Sequence, residues 1–330
     1  MNILITGSNG FVGSNLMWKL EEEGHQVIGI DISDQCDYKK HSETMIGDIR
    51  SLKELNKVSD TYLKKYNSPI DLIIHCAAAK NDFGISHAEY YSHNKYGTKT
   101  LISFANQQNI NKMIYFSSVG VFGHPQGEAN EDFPYKPDSA YGASKLAGEL
   151  LCIKWQQENP KRELVVLRPA AIFGPRNITN TYKLIDTLHR RPYLTIGEGN
   201  HIKTIVSIYT VIDMTCFAIQ QLKPGFEHYN CIDEPYLTLK ELMELICSNP
   251  GFKMPRIKIP LKAAIGIGYL FDIPAKLFSI DIPVNSDRMR KLGTATYFTA
   301  EKAKKAGFIQ RVPLKDSIVE MCNWYLSLNE

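Results

Sequence analysis

The chain opens with Met1-Asn2-Ile3-Leu4-Ile5-Thr6-Gly7-Ser8-Asn9-Gly10-Phe11-Val12-Gly13, and residues 14–23 follow with helical periodicity. A strand, a glycine-rich turn and a helix in this order form the context in which three glycines bind a dinucleotide. Gly7 fits the tight turn, Gly10 the close approach of a pyrophosphate, and Gly13 the close packing of helix on strand. The start of the helix adds free N–H groups and the positive dipole end. The alternative is an ordinary glycine-rich turn.

Composition is that of a globular protein. The 330 residues are 44% hydrophobic and 22% charged, with a net charge of +3. That length suits one large domain plus a smaller one, and the mild charge argues against a nucleic-acid partner. The seven cysteines show no Cys-x-x-Cys pair and no zinc spacing, which predicts reduced thiols; they are Cys36, Cys76, Cys152, Cys216, Cys231, Cys247 and Cys322.

The chain shows no targeting or membrane-spanning segment. The first residues already form a predicted core strand, which leaves no room for a signal peptide. The longest apolar run, Ala263–Phe271, is too short to span a bilayer. We therefore expect a soluble cytoplasmic protein with no membrane partner.

Strands and helices alternate through the first half. Predicted strands cover 26–31, 44–47, 70–76, 112–116 and 164–168, and predicted helices cover 52–66, 92–109 and 141–159. This alternation predicts an α/β fold, a doubly wound parallel (Rossmann) sheet with a smaller, mixed C-terminal lobe. The predicted division is a dinucleotide-binding domain at 1–172, to which 205–235 returns through a strand at 228–232, and a substrate-binding lobe at 173–204 and 236–330.

Two acidic residues bear on the choice of cofactor. Asp31 ends the second predicted strand about twenty residues after the glycines, where a carboxylate accepts hydrogen bonds from the adenosine ribose and repels a 2′-phosphate. It therefore favours NAD over NADP, the alternative being an aspartate that caps a turn. Asp48 meets the adenine edge or caps a helix, and the sequence does not separate these two roles.

A second group of residues predicts proton transfer. Tyr141 and Lys145 are four residues apart, and this spacing places them on one face of a helix. A nearby ammonium favours the phenolate, which makes Tyr141 a candidate general acid and base. Ser117 and Ser118 follow the fifth strand, whose carboxyl end faces the ligand crevice. Strand alternation puts the two serines on different faces, and the preference for Ser118 rests mainly on the family resemblance described next.

Together these residues resemble the extended short-chain dehydrogenase/reductase family, and within it the nucleotide-sugar epimerases, dehydratases and reductases. The resemblance spans nearly the whole chain. It rests on Thr6-Gly7-x-x-Gly10-Phe11-x-Gly13, Gly47-Asp48-Ile49-Arg50, His75-Cys76-Ala77-Ala78, Asn94 with Gly97-Thr98, Phe116-Ser117-Ser118, Val121-Phe122-Gly123, Tyr141-x-x-x-Lys145, Leu167-Arg168-Pro169, Phe173-Gly174-Pro175-Arg176, Lys302-Ala303 and Gly307-Phe308.

The resemblance assigns roles and partners. It implies Ser118, Tyr141 and Lys145 as catalytic residues, a nucleotide-sugar substrate (UDP-sugars among the commonest), and a homodimer formed through helices 92–109 and 141–159. The implied NAD contacts are Gly7, Asn9, Gly10, Phe11, Val12, Gly13, Asp31, Asp48, Ile49, Ala77, Ala78, Asn94, Tyr141, Lys145 and Pro169. For Asn94 a bond to the nearby loop backbone is the alternative. The candidate substrate contacts are Lys80, Ser118, Arg176, Lys203 and Arg288.

The chain also departs from the family pattern. Dehydratases of the family carry an acidic pair where this chain has Val119-Gly120, which argues against 4,6-dehydration. Ala171 stands where many hexose epimerases have Asn, and Tyr209-Thr210 where an acidic pair is frequent. Lys203 replaces the usual diphosphate-binding Arg and retains its charge.

These observations predict an NAD-dependent epimerase of the UDP-sugar 4-epimerase type, with Tyr141 as acid and base. One alternative is a reductase of nucleotide 4-keto-sugars that uses NAD(P)H. Another, from a different class, is a non-catalytic NAD sensor or scaffold, since a fold alone does not fix function. The histidines form no metal spacing, so no metal site is predicted.

Overall fold

The computed structural model describes residues 1–80, 85–190, 194–278 and 293–328. Its strands are β1 (Asn2–Thr6), β2 (Gln26–Asp31), β3 (Thr44–Ile46), β4 (Leu72–His75), β5 (Lys112–Phe116), β6 (Glu163–Pro169), β7 (Ala171–Phe173), β8 (Leu194–Ile196), β9 (Ile205–Ser207), β10 (Gly225–Cys231) and β11 (Ile257–Ile259). Seven of them form one sheet in the order β3-β2-β1-β4-β5-β6-β10, with every neighbouring pair parallel. The predicted doubly wound parallel sheet is confirmed.

The helices of the described residues are α1 (Phe11–Glu22), α2 (Leu52–Tyr66), α3 (His87–Tyr91), α4 (Thr98–Gln107), α5 (Ala140–Gln157), α6 (Asn180–Arg190), α7 (Ile208–Gln220), α8 (Leu239–Cys247), α9 (Leu261–Phe278), α10 (Glu301–Lys305) and α11 (Leu314–Ser327). A π-helical turn, Ser92–Gly97, joins α3 to α4, and a 3₁₀ turn, Val119–Phe122, follows β5. Helix α1 begins three residues before its predicted start, and the helix predicted over 92–109 begins with the π-helical turn.

Buried apolar residues cover both faces of the sheet, as expected for parallel strands. Ile3 and Ile5 pack on one face with α1 and α7, where Met17 and Met214 are fully buried. Leu4 points to the other face, where α2, α4 and α5 pack around the fully buried Phe104. This alternation of buried side chains fixes the register of β1, because a shift of one residue would exchange the two faces.

The remaining elements form a second core beside the carboxyl end of the sheet. Helices α6, α8 and α11 pack around buried Phe173, Ile185, Ile246 and Met321. Two small sheets, β7–β9 and β8–β11, border this core. Strand β10 lies beside β6 in the large sheet, where the sequence predicted a returning strand. No described helix is long and apolar enough to cross a membrane, and all seven cysteines are free.

Candidate active site

The glycine turn between β1 and α1 leaves no room for a side chain at two of its three glycines. Gly7 has a φ of +70°, and a Cβ there would lie 2.7 Å from the Ala77 nitrogen. A Cβ on Gly13 would lie 2.1 Å from the Gly7 carbonyl oxygen. A Cβ on Gly10 would lie 3.3 Å from its nearest neighbour, which is also the Gly7 carbonyl oxygen. Gly7 and Gly13 are therefore required by the backbone, whereas Gly10 borders more open space.

The first turn of α1 has the chemistry of an anion site. Gly10 gives the helix no side-chain cap, and the first turn holds no acidic residue. The buried Ser8 Oγ and Asn9 Oδ1 have no hydrogen-bond partner in the part of the chain described. Unfilled donors at a helix N-terminus beside buried polar atoms fit a pyrophosphate. The residues at this turn, Phe11 and Val12 among them, therefore fit a bound dinucleotide.

Asp31 lies at the carboxyl end of β2, next to this turn. Its Oδ2 accepts from the Asn9 backbone nitrogen at 2.9 Å, and its Oδ1 accepts from the Ser33 nitrogen at 2.9 Å. The second bond is the turn-capping contact that the sequence left as the alternative. The first holds Asp31 against the glycine turn, and a carboxylate retains acceptor capacity for ribose hydroxyls after two such bonds.

Asp48 does not cap helix α2. That role belongs to Ser51, whose side chain accepts from the Glu54 nitrogen. The Asp48 carboxylate instead accepts from the Arg50 guanidinium at 2.6 Å, and this pairing lowers the pKa of Asp48. Ile49 is buried beside Gly97, where a Cβ would lie 2.9 Å from Ile49 Cδ1. The adenine contact stays a prediction.

Asn94 joins the loop after β4 to helix α5. Its Oδ1 accepts from the Ala79 nitrogen at 2.8 Å, and its Nδ2 donates to Ala79 O at 3.1 Å and to Ser144 Oγ at 2.8 Å. These are the loop-backbone bonds that the sequence left as an alternative; the cofactor contact stays a prediction. In the same loop Ala78 is exposed, and Ala77 donates its N–H to Thr6 Oγ1.

The two serines after β5 face different surroundings. Ser117 Oγ donates to Glu149 Oε2 in the buried interior. Ser118 Oγ accepts from the Gly120 nitrogen at 3.1 Å and is the N-terminal cap of the 3₁₀ turn. A Cβ on Gly120 would lie 3.3 Å from Ser118 Oγ and 3.9 Å from Tyr141 Cδ1. Ser118 and the Tyr141 ring therefore flank the same glycine, which supports the choice of Ser118.

Tyr141 and Lys145 lie in the first two turns of α5, which is capped by Ser139. The half-buried Tyr141 ring meets the Tyr90 ring edge to face, with centroids 6.1 Å apart. Lys145 is 2% exposed, and its Nζ lies 4.6 Å from the centroid of the Tyr115 ring. Burial lowers the pKa of Lys145 to about 8. A buried cation one helical turn from a tyrosine is the arrangement that favours phenolate.

A buried polar network supports this helix, and sequence reasoning missed it. Glu149, one turn beyond Lys145, pairs with Arg168 of β6 at 2.6 Å, with both side chains at most 2% exposed. The Tyr135 hydroxyl donates to the same carboxylate at 2.7 Å. The sequence offered one signal for this network, the acidic residue Glu149 four positions after Lys145 in the same predicted helix. The network fixes α5 against β6, next to the buried Pro169 at the strand's end.

His75 is held in the interior by hydrogen bonds from both sides of its ring. Its two ring nitrogens bond the Thr6 hydroxyl at 2.7 Å and the Thr98 hydroxyl at 3.0 Å. The ring is 1% exposed, and burial lowers its pKa to about 3. No group of three metal-binding side chains occurs within the described ranges.

The candidate substrate contacts have different surroundings in the structure. Lys203 is partly buried, donates from Nζ to Thr294 O at 2.5 Å, and has a pKa lowered to about 8 by burial. Arg176 is exposed and stacks its guanidinium 4.8 Å from the centroid of the Tyr38 ring, in the loop after β2. Lys80 is exposed at the end of the loop that follows β4. Arg288 lies outside the described residues.

The departures from the family pattern have structural correlates. Gly120 packs against Gly142 of α5. A Cβ on Gly142 would lie 2.3 Å from the Gly120 carbonyl oxygen. Tyr209 donates its hydroxyl to Glu320 Oε1 at 2.5 Å, which links α7 to α11. The first contact joins the 3₁₀ turn tightly to α5, and the second is a link between helices.

Comparison with known proteins gives the family. The family model described as the NAD dependent epimerase/dehydratase family matches residues 3–231. An N-acetyl-alpha-D-glucosaminyl-diphospho-ditrans,octacis-undecaprenol 4-epimerase of Escherichia coli O157:H7 is 27% identical over 319 residues, which cover 96% of this chain and 93% of that protein. A human dTDP-D-glucose 4,6-dehydratase is 26% identical over 340 residues, which cover 98% of this chain and 89% of the relative.

Solved structures share the fold. A UDP-glucuronic acid 4-epimerase from Bacillus cereus in complex with NAD has a TM-score of 0.75 and 22% identity, with both chains covered completely. MoeE5 in complex with UDP-glucuronic acid and NAD has a TM-score of 0.77 and 20% identity, with 99% of this chain and 100% of that chain covered. The family model spans well over half of the chain and includes the glycine turn, Tyr141 and Lys145. The chain therefore belongs to the NAD-dependent epimerase/dehydratase family of enzymes.

Proposed function

We propose that the protein is a 4-epimerase of a sugar held by a diphosphate, with Tyr141 as its general acid and base. The observation that carries the proposal is the placement of three side chains near the start of α5. Ser118 and Tyr141 flank Gly120, and buried Lys145 lies one turn along α5. Asn94 connects this helix to the loop that closes on the glycine turn. The proton-transfer group and the dinucleotide site are thus parts of one crevice.

The side chains divide the acid–base work. Tyr141 removes the proton of the sugar 4-hydroxyl and later returns a proton to the same oxygen. Lys145 stabilises the phenolate, because an ammonium nearby favours the charged form of tyrosine. Ser118 Oγ holds the substrate oxygen in place. Bound NAD would supply hydride transfer at the sugar C4, a chemistry that no side chain provides, and the glycine turn with Asp31 would hold it.

The substrate diphosphate is proposed to meet Lys203 at the border of the second core. Its position beside the Thr294 carbonyl makes Lys203 the best placed of the candidate cations. An ammonium binds a phosphate as a point charge, so it holds the diphosphate without reading the sugar. We further propose the domain division and the homodimer through α4 and α5 stated above.

Two features favour the epimerase over the reductase. Asp31, held against the glycine turn, favours NAD, and the relatives and neighbours described above include 4-epimerases. The test is incubation of the purified protein with a panel of UDP- and dTDP-sugars, with and without NADH, analysed by NMR and by absorbance at 340 nm (the band of reduced nicotinamide).

The expected result is interconversion of two 4-epimers with no net absorbance change. Consumption of one NADH per product would establish the reductase instead. A protein that binds NAD but turns over no sugar, and whose cellular role survives Tyr141→Phe, would be the non-catalytic sensor.

A further inference from the structure

Helix α9 presents an apolar face to solvent. Ala263, Gly266, Ile267 and Leu270 follow one another at helical spacing, and all four are exposed, with Ile267 at 42% and Leu270 at 72%. Ala264 and Gly268 are buried instead. A surface helix of a globular protein normally turns its apolar side inward and its polar side outward. In α9 the two large apolar side chains Ile267 and Leu270 face outward, whereas Ala264 and Gly268 face the protein.

Basic residues lie close to this face in the sequence. Met254 and Ile257 precede α9 and are exposed at 37% and 59%. Lys253 and Arg256 are next to these residues in the sequence, Lys262 lies in the first turn of the helix, and all three are exposed. No acidic residue occurs in the sequence from 245 to 271, and Lys258 of this segment pairs with Glu198 from outside it. The segment that leads into α9 therefore combines exposed apolar side chains with a net positive charge.

The same helix begins beside the proposed diphosphate site. The Leu261 side chain packs on Gly293, where a Cβ would lie 2.3 Å from Leu261 Cδ2. The next residue, Thr294, accepts the hydrogen bond from Lys203 Nζ. Two contacts thus connect the cation proposed for the diphosphate to the exposed apolar helix.

We propose that this face of α9, with its flanking cations, docks on the surface of a bilayer that contains anionic phospholipid. Apolar side chains with basic neighbours bind in this way at the boundary between headgroups and acyl chains. The protein lies on the bilayer and does not cross it. Interfacial binding needs no spanning segment. The proposal therefore differs from the expectation of no membrane partner, which was drawn from the lack of such a segment.

One consequence concerns the substrate and rests on the proposed function. With α9 on the bilayer, the diphosphate site faces sugars whose diphosphate is carried on a membrane-embedded polyprenyl chain. The first relative described above is named for such a substrate. A nucleotide-linked sugar would reach the same site from solution.

The test is cosedimentation of the purified full chain with vesicles of phosphatidylcholine alone or mixed with one quarter phosphatidylglycerol. The expected result is binding to the mixed vesicles and much weaker binding to the neutral ones. Ile267→Asn with Leu270→Asn should lower the partition coefficient at least tenfold. Lys253→Glu with Lys262→Glu should lower it for the mixed vesicles by about fivefold per charge or more.

The control is Leu63→Asn, which removes an apolar side chain of similar exposure (49%) from helix α2. It should bind vesicles as the unaltered protein does. Retained circular dichroism shows that each variant is folded. Absence of binding to mixed vesicles, or equal losses in Leu63→Asn, would overturn the proposal. If the α9 variant binds vesicles normally but changes the oligomeric state in light scattering, the face instead pairs with a second copy.

Epimerase activity provides a separate readout. Conversion of a soluble UDP-sugar tests the proposed function without vesicles, and vesicle binding tests the docking face without substrate. If the protein binds vesicles and converts only polyprenyl-diphosphate sugars, both proposals hold and the substrate class is fixed. If it binds vesicles but converts no sugar, only the proposed function fails.

Discussion

The first turn of α1 and the exposed face of α9 each contain a glycine inside a helix, for opposite reasons. At Gly13 a Cβ would lie 2.1 Å from a backbone oxygen, whereas at Gly266 a Cβ would meet nothing within 4 Å. In the first region the backbone itself excludes a side chain. In the second region, no atom of the described residues would contact a side chain at position 266. Internal packing therefore fixes the glycine at position 13, whereas no packing within the described residues requires a glycine at position 266.

The comparison extends to the charged residues of the two regions. Glu149 and Arg168 are paired and buried below the active site. Lys253, Arg256 and Lys262 are exposed on the second surface. A buried pair that loses one partner leaves an uncompensated charge, whereas an exposed cation is replaced at little cost to the fold. We therefore expect substitutions to affect chemistry and stability in the first region, and binding in the second.

The largest expected effect is on turnover. Tyr141→Phe removes the proposed acid and base and leaves the ring packed against Tyr90. We expect kcat to fall by about 10³, within the range for general acid–base catalysis, while NAD stays bound. Turnover is followed by NMR of the sugar, and retained NAD by absorbance after denaturation.

Tyr62→Phe is the matched control, because it removes a hydroxyl from a buried tyrosine of α2, remote from the crevice. Its kcat should equal that of the unaltered protein. If Tyr141→Phe keeps full turnover, the proton acceptor is another group and the proposed mechanism is wrong.

Gly13→Ala is expected to have the next largest effect. The added methyl overlaps the Gly7 carbonyl oxygen, so α1 must move away from β1. We expect a loss of about 2 kcal/mol in the free energy of unfolding, typical of overpacking, and at least tenfold weaker NAD binding. Thermal denaturation and calorimetric titration with NAD measure the two changes. Unchanged NAD affinity would show that the cofactor does not rest on this turn.

The sequence predicted the first region well because its constraints are local. The order of strand, glycine turn and helix lies within about twenty residues, and the spacing of Tyr141 and Lys145 is a property of one helix. The Glu149–Arg168 pair joins residues of different elements, and its buried character depends on packing that no local pattern reports. The exposure of Ile267 and Leu270 was equally hidden, since an apolar run looks the same in a core and on a surface.

Lys203 is the cation proposed for the substrate diphosphate, and its substitution is expected to weaken substrate binding about tenfold. Lys203→Met should raise KM by about this factor with little change in kcat, because a lost charged hydrogen bond weakens ground state and transition state alike. The pKa of Lys203 is lowered to about 8 by burial. Its charged form binds the diphosphate, so KM of the unaltered protein should rise as pH increases through about 8.

Lys203→Arg is the control for charge. Arginine stays protonated throughout this range, so this variant should keep a low KM and lose its dependence on pH above about 8. Initial rates across pH 6.5 to 9.5, buffered at constant ionic strength, provide the comparison. A KM of Lys203→Met equal to that of the unaltered protein would place the diphosphate elsewhere.

The smallest expected effect tests the contrast between the two helical glycines directly. Gly266→Ala adds a methyl into open space on α9, and it restricts the unfolded chain at a position without a positive φ. Alanine should therefore stabilise the protein by about 0.5–1 kcal/mol, the opposite sign to Gly13→Ala. The midpoint of thermal unfolding, measured for both variants under the same conditions, shows the two signs. A destabilised Gly266→Ala would mean that another surface already covers this face of α9 in solution. Packing would then require a glycine at both positions, from the chain itself at Gly13 and from that other surface at Gly266.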